Sequence, residues 1–156
     1  MRRKDREVTD RAEIIEIMKA CDVCRIGMVD EEGCAYIVPL NFGLEADDEH
    51  ITLYFHSAKE GHKLDLLRKN PNVSFEMDCD HQLVFNEEKR YCSMSFRSVM
   101  GRGRISFIED PEEKLRLLTF MTDSYHEDHF DFDPRAAAVT TVYKLEVETM
   151  TAKKKG

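Results

Sequence analysis

Residues 91–109 read YCSMSFRSVMGRGRISFIE. Val99, Ile105 and Phe107 fall on one side of a two-residue repeat and Arg102 and Arg104 on the other, which is the pattern of a half-buried strand. Gly101 and Gly103 permit a bend or a close backbone approach inside it, so the spacing predicts one long, curved strand. Immediately downstream, Asp110-Pro111-Glu112-Glu113 supplies an N-cap aspartate, a proline at the first helical position and a glutamate at the third. A helix is expected from there toward Tyr125. Upstream, beyond Pro71, Val73, Phe75 and Met77 alternate with Ser74, Glu76 and Asp78, which predicts a second half-buried strand.

The outer parts of the chain carry the same signature. Asp10 and Glu13 have the spacing of a capped start, and Ile14, Ile17, Met18 and Cys21 share one helical face. CRIGMVD and CAYIVPLNFGL, separated by Glu31-Glu32-Gly33, read as a hairpin. An acidic loop, Glu45 to Glu49, leads into the β-rich run HITLYFH at 50–56. After the acidic, aromatic loop HEDHFDFDP, a last strand alternates Val139, Tyr143, Leu145 and Val147 with Thr140, Lys144, Glu146 and Glu148. The strands follow one another with few helices between them, which favours a mainly β (α+β) barrel over a doubly wound parallel sheet. One domain is expected over residues 1–152, followed by a flexible basic tail at 153–156.

Composition limits the function. A net charge of −8 disfavours general nucleic-acid binding, which draws on a basic face. The N-terminal MRRKDREVTDRAE has no apolar run behind it, and no stretch is long enough to span a membrane, so a cytoplasmic protein is expected. Five cysteines point to reduced thiols rather than a disulfide framework. Cys21 and Cys24 have the spacing of a redox or zinc pair, but they follow a helix and open a strand, so they are read as buried structural residues and no metal site is expected. Neither a dinucleotide fingerprint nor a phosphate-binding Walker loop is present, and no nucleophile elbow occurs.

Residues 54–71, YFHSAKEGHKLDLLRKNP, hold the candidate site. Ser57 and Glu60 have capping-box spacing, with Gly61 then one turn inside a helix, where glycine costs about 1 kcal/mol relative to alanine. Lys59, His62 and Lys63 surround the same turn. Free amides, the positive end of a helix dipole and nearby cations together make a seat for a phosphate, and a bare Cα at Gly61 lets it approach. Glu60 opposes such a ligand unless it turns away.

Four segments, MRRKDREVTDRAEI, YIVPLNFG, YFHSAKEGHKLDLLRKNP and FRSVMGRGRI, resemble in order the nitroimidazole-resistance proteins of the pyridoxamine 5′-phosphate oxidase-like, flavin-binding split-barrel superfamily. The resemblance covers roughly residues 1–152. It implies a split β-barrel, FMN-binding type, assembled as a homodimer with FMN in clefts between the subunits. It further implies that Val38, Pro39, Leu40 and Asn41 lie along the flavin ring and that Phe55, His56 and Ser57 lie beside the ribityl chain. Gly61, His62 and Lys63 match the phosphate end, and Arg97 and Ser98 a further flavin-facing segment reached from a neighbouring strand or subunit. Plain alternatives stand beside these: Pro39 as an edge-strand proline, His56 as a partly buried strand histidine, Arg97 as a solvated charge.

The chain also departs from the vitamin-making members, which have an arginine where His62 stands and a substrate-binding arginine near their C-terminus. Here the end reads TAKKKG and tryptophan is absent, so vitamin biosynthesis is not expected. The function implied is an FMN-dependent oxidoreductase passing hydride or electrons from NADH or NADPH, as a transient donor, to a small electron-poor substrate such as a nitroaromatic. No catalytic side chain is assigned, because the cofactor carries that chemistry. A non-catalytic flavin- or haem-binding role in storage or sensing is the alternative, and a dimer with a vacant cleft is the third reading.

Overall fold

The computed structural model describes residues 2–156. Its strands are β1 (Glu7–Val8), β2 (Cys24–Val29), β3 (Ala35–Leu40), β4 (Gly43–Ala46), β5 (Ile51–Ala58), β6 (Asn72–Asn86), β7 (Tyr91–Ile108) and β8 (Thr140–Lys155). The helices are α1 (Arg11–Lys19), α2 (His62–Lys69), α3 (Pro111–Asp123) and α4 (Arg135–Val139). All strand pairings are antiparallel. They build one sheet in the order β3-β2-β6-β7-β8-β5-β4, with β1 added to β8.

That order forces the sheet to curl. β3 and β4 are its opposite ends, yet only Asn41 and Phe42 separate them in the chain. A flat sheet would hold the end strands about 29 Å apart at ordinary strand spacing. The link between Leu40 and Gly43 spans no more than about 11 Å. The two ends are therefore brought round to each other without pairing, which is a split barrel.

β7 is the spine of the barrel and behaves as its alternation requires. Val99, Gly103 and Ile105 are buried, while Met100, Arg102 and Arg104 face solvent. The register against β8 slips between Arg102 and Gly103, leaving Glu148 as an extra residue, and this bulge bends the strand where the glycines permit it. The interior is filled by Ile26, Phe55, Phe75, Met77, Tyr143 and Leu145, with Ile14, Ile17 and Met18 of α1 packed onto them. A second cluster lies outside the barrel, where Leu117, Leu118 and Met121 of α3 cover Tyr54 and Val142. Asp10 and Asp110 cap α1 and α3, accepting from the amides of Glu13 and Glu113 at 3.0 and 2.8 Å.

Several expectations change. The basic end is not a frayed tail: Lys153, Lys154 and Lys155 pair with Ser98, Arg97 and Phe96 as the last rungs of β8. Main-chain pairing to a long neighbour holds them whatever their side-chain charge. The run 34–44 is two strands, because the chain leaves β3 at Asn41 and starts β4 on the far edge. β6 continues past Asp78 through an irregularity between Cys79 and Gln82 into a two-stranded arm with β7. On that arm Leu83, Val84, Phe85, Tyr91 and Met94 are exposed. Val139 closes α4 rather than opening the last strand, and its side chain is exposed.

Candidate functional site

The capping box expected at Ser57 does not form, because β5 runs on through Ala58 and Ser57 is still a strand residue whose hydroxyl donates to the Ala58 carbonyl at 3.0 Å. Gly61 is the N-cap of α2 rather than a residue one turn inside it. Its φ of 148° and ψ of 150° lie in a region open in practice only to glycine. The glycine is therefore demanded by the backbone, and nothing stands within 4 Å of where a Cβ would be. Among the described residues no side chain caps α2. The Gly61 carbonyl accepts from Leu64 and Asp65, leaving the amides of His62 and Lys63 without a main-chain acceptor among the described residues.

This helix start sits at the split. Among the described residues β3 pairs only with β2, so its outer edge is free. On β5 the neighbour β4 reaches only as far as Tyr54, and Phe55 to Ala58 pair solely with β8. Two strand edges thus have unpaired main-chain groups, an arrangement that accepts hydrogen bonds from outside the sheet. The His62 ring meets Tyr36 of β3 edge-on, with centroids 4.9 Å apart, and so fastens the start of α2 to the first of those edges.

Side chains divide by strand alternation. Val38 and Leu40 pack against the core, whereas Pro39 is exposed on the edge strand opposite Arg25. Only the main chain and Pro39 are available to a ligand there. Phe55 is fully buried and stacked on Tyr143 at 5.7 Å, so its side chain serves the core. Asn41 donates from Nδ2 to the Asp22 carbonyl at 3.2 Å and holds the turn between the two sheet ends.

Electrostatics fit an anion. Lys63 is half-buried, and desolvation lowers its pKa. His56 is lowered first by desolvation and then by the Lys63 ammonium. Because the His56 side chain remains open to solvent, this is the partial desolvation of a groove and not of the core. An anion in the groove would relieve both groups. Behind Ser57, the buried Tyr143 hydroxyl has no partner in hydrogen-bonding geometry among the described residues, and burial pushes its pKa up to about 12. Tyr36 flanks the start of α2 and Tyr143 lies behind it in the core, although neither stands out in the sequence. The half-buried alternation of Tyr36 with Val38 and Leu40 is the signal that places Tyr36 on the inner face.

Arg97 and Ser98 are not brought to this seam within one chain. They lie on β7 between Cys79 and Asp78 on one side and Lys154 and Lys153 on the other. Arg97 forms an ion pair with Asp80 and lines a separate cavity of about 560 Å³ together with His81, Lys154 and Lys155. Cys21 and Cys24 are buried free thiols. Burial first, and then the neighbouring Cys79, push Cys21 up to about 12; burial raises Cys24 as well. Thiols so protonated are poor nucleophiles. Among the described residues no helix is long and apolar enough to cross a membrane.

Comparison with known proteins agrees with this architecture. Residues 10–154 match the family described as Pyridoxamine 5′-phosphate oxidase. No curated protein matches the chain. Among solved structures, a protein assigned to 5-nitroimidazole antibiotic resistance from Bacteroides thetaiotaomicron is 38% identical, with TM-score 0.84 over 95% of this chain and 86% of that one. The flavocytochrome Anf3 from Azotobacter vinelandii is 21% identical, with TM-score 0.82 over 100% of this chain and 72% of that one. An FAD and heme binding protein from Mycobacterium smegmatis is 17% identical, with TM-score 0.80 over 97% and 74% of the two chains. These last two share the fold. With its barrel split between β3 and β4 and its sequence matched over nearly the whole length, the chain belongs to the pyridoxamine 5′-phosphate oxidase-like split barrels and, within them, to the nitroimidazole-resistance family.

Proposed function

We propose that this protein binds FMN at the seam between β3 and the start of α2 and works as a flavin-dependent oxidoreductase acting on a small electron-poor substrate. The observation that carries the reading is the coincidence, at one place, of two free strand edges, two unused helix amides and a half-buried lysine. The residues fit the group: open space over Gly61 admits a phosphate, and Lys63 supplies the counter-charge, with His56 beside it. The free edge of β3 from Val38 to Leu40 offers main-chain groups to a planar polar ring, and Pro39 presents a flat apolar surface beside it. The relatives named for flavin or FAD binding support the cofactor class. When bound, the flavin supplies the hydride and electron transfer, with NADH or NADPH as the donor.

The chain's own contribution is to hold and orient. Amide donors and Lys63 fix the charged end, the edge strand fixes the ring, and the stacked Phe55 and Tyr143 keep the end of β5 rigid. A homodimer completes the reading. Ile37 is 61% exposed beside Pro39, and the arm carries further bare apolar side chains, so a second copy has apolar surface to cover. That copy would also bring an Arg97 to a seam that lacks one within its own chain.

Mixing flavin-loaded protein with NADH or NADPH without oxygen tests turnover. Bleaching of the flavin absorbance, followed by its return on adding a nitroimidazole, is expected. A yellow protein that never bleaches with either donor would be a binder and not a nicotinamide-driven reductase. A red protein with a Soret band would carry haem instead.

A further inference from the structure

A second cavity, of about 330 Å³, opens between the ends of α1 and α3 and the strand β4. Three of its walls are aromatic: Phe42, Phe120 and Tyr125, with Phe42 and Tyr125 edge-to-face at 6.5 Å between centroids. Phe120 can lie there because Gly43 has no side chain; a Cβ at that position would stand 2.8 Å from the Phe120 ring. The Tyr125 hydroxyl donates to the Asp22 carbonyl at 2.9 Å and accepts from the Phe42 amide at 3.1 Å. Both bonds fix the walls to each other. Ser124 is similarly occupied, donating to the Phe120 carbonyl at 3.0 Å.

Two residues on the rim are not used in this way. Lys19 and Asp22, both exposed, line the opening, and among the described residues neither side chain forms an ion pair. Lys19 offers donors alone and Asp22 acceptors alone. Aromatic walls select a flat ring, which gains edge and face contacts that a puckered one forgoes. A volume at the low end of ligand sites selects one ring or two. An acid would satisfy Lys19 and repel Asp22, and an amine would do the reverse. A carboxamide, with its oxygen and its N–H side by side, answers both.

We infer that this cavity is a binding site for a small aromatic carboxamide, its ring between Phe42, Phe120 and Tyr125 and its amide bridging Lys19 and Asp22. The inference stands on the cavity and its rim, and is independent of flavin at the seam. The two places are nevertheless joined, since the Asp22 carbonyl that holds Tyr125 also accepts from Asn41.

Benzamide is the probe, titrated into the full-length protein and followed by amide chemical shifts, a readout in which flavin absorbance plays no part. Saturable shifts at Phe42, Phe120 and Tyr125 are expected, with a Kd of about 1 mM or tighter. Cyclohexanecarboxamide, benzoate and benzylamine should each bind about tenfold more weakly. Lys19→Gln and Asp22→Asn change exposed side chains whose removal leaves the walls intact, and each should weaken benzamide several-fold while the free-protein spectrum stays folded. Absence of saturation, shifts centred away from the three aromatics, or unchanged affinity in both variants would overturn the assignment.

Discussion

Gly103 and Gly61 are both glycines at bends, and they are required for opposite reasons. At Gly103 the chain of β7 crosses the bulge in β8 so closely that a Cβ would run into the Glu146 carbonyl and stand 2.8 Å from Leu145 Cδ1. At Gly61 there is open space and the demand comes from the backbone itself. The first region is packed until no atom can be added. The second is held in an uncommon conformation beside room that the protein itself leaves unfilled. The contrast separates the part of the molecule that makes the barrel from the part available to a ligand.

Gly103→Ala tests the packed side and should have the largest effect. With main chain in the way, neither strand can yield without losing ladder bonds, so a loss of about 3 kcal/mol or more is expected, read from the urea midpoint. Gly61→Ala should cost less, about 1–3 kcal/mol, because the strain is confined to one φ,ψ pair and the Cβ meets nothing. If the two variants were equally destabilised, the distinction between packing and backbone would fail. Lys63→Ala moves to the ligand side of the comparison. It should leave the fold intact and weaken FMN about tenfold, as the loss of one charge-assisted contact does. Unchanged affinity measured by flavin fluorescence would remove the phosphate from this corner.

The same groove should carry a pH signature. His56 has a folded pKa below its ordinary 6.5, so the unfolded chain takes up the proton first as pH falls. Stability in the absence of ligand should therefore decline as pH drops through and below 6.5, and be unaffected by this group above that range. Because the side chain is open to solvent, the effect is below about 1 kcal/mol. His56→Gln should flatten the fall in Tm between pH 7 and 5. A profile identical to that of the unaltered protein would show that the groove does not disfavour the imidazolium.

Much of the barrel was legible because its strands alternate cleanly. Val99, Ile105 and Phe107 against Arg102 and Arg104 can mean little else, and the two capped helices announce themselves at Asp10 and Asp110. What was not legible depended on partners distant in sequence. Asn41 and Phe42 look like the middle of one strand, and only the return of the sheet upon itself makes them a corner. The lysines after Ala152 look like a solvated tail until β7 is found to be long enough to pair with them. At the seam, Gly61 is visible as an anomaly, but the sequence puts it a turn too far into the helix, because Ser57 and Glu60 have the spacing of a cap. The spacing cannot reveal that β5 uses Ser57 first.

The Tyr143 hydroxyl was the least legible feature and offers the smallest and sharpest test. It is enclosed beside Ser57, whose own hydroxyl is turned to Ala58, and among the described residues no group stands in hydrogen-bonding geometry to it. A buried hydroxyl left unbonded contributes nothing favourable by itself, so replacing it with hydrogen should be neutral or slightly stabilising, within about 1 kcal/mol. Tyr143→Phe also keeps the ring stacked on Phe55 and tilted against Phe107, which excludes a packing explanation for any change. An unaltered or raised Tm without ligand, combined with weaker FMN binding, would assign the hydroxyl to the ligand side of the seam. A fall in Tm of the free protein by more than the equivalent of about 1 kcal/mol would instead mean that a water already satisfies it, and that the space behind Ser57 belongs to the packed barrel and not to the open seam.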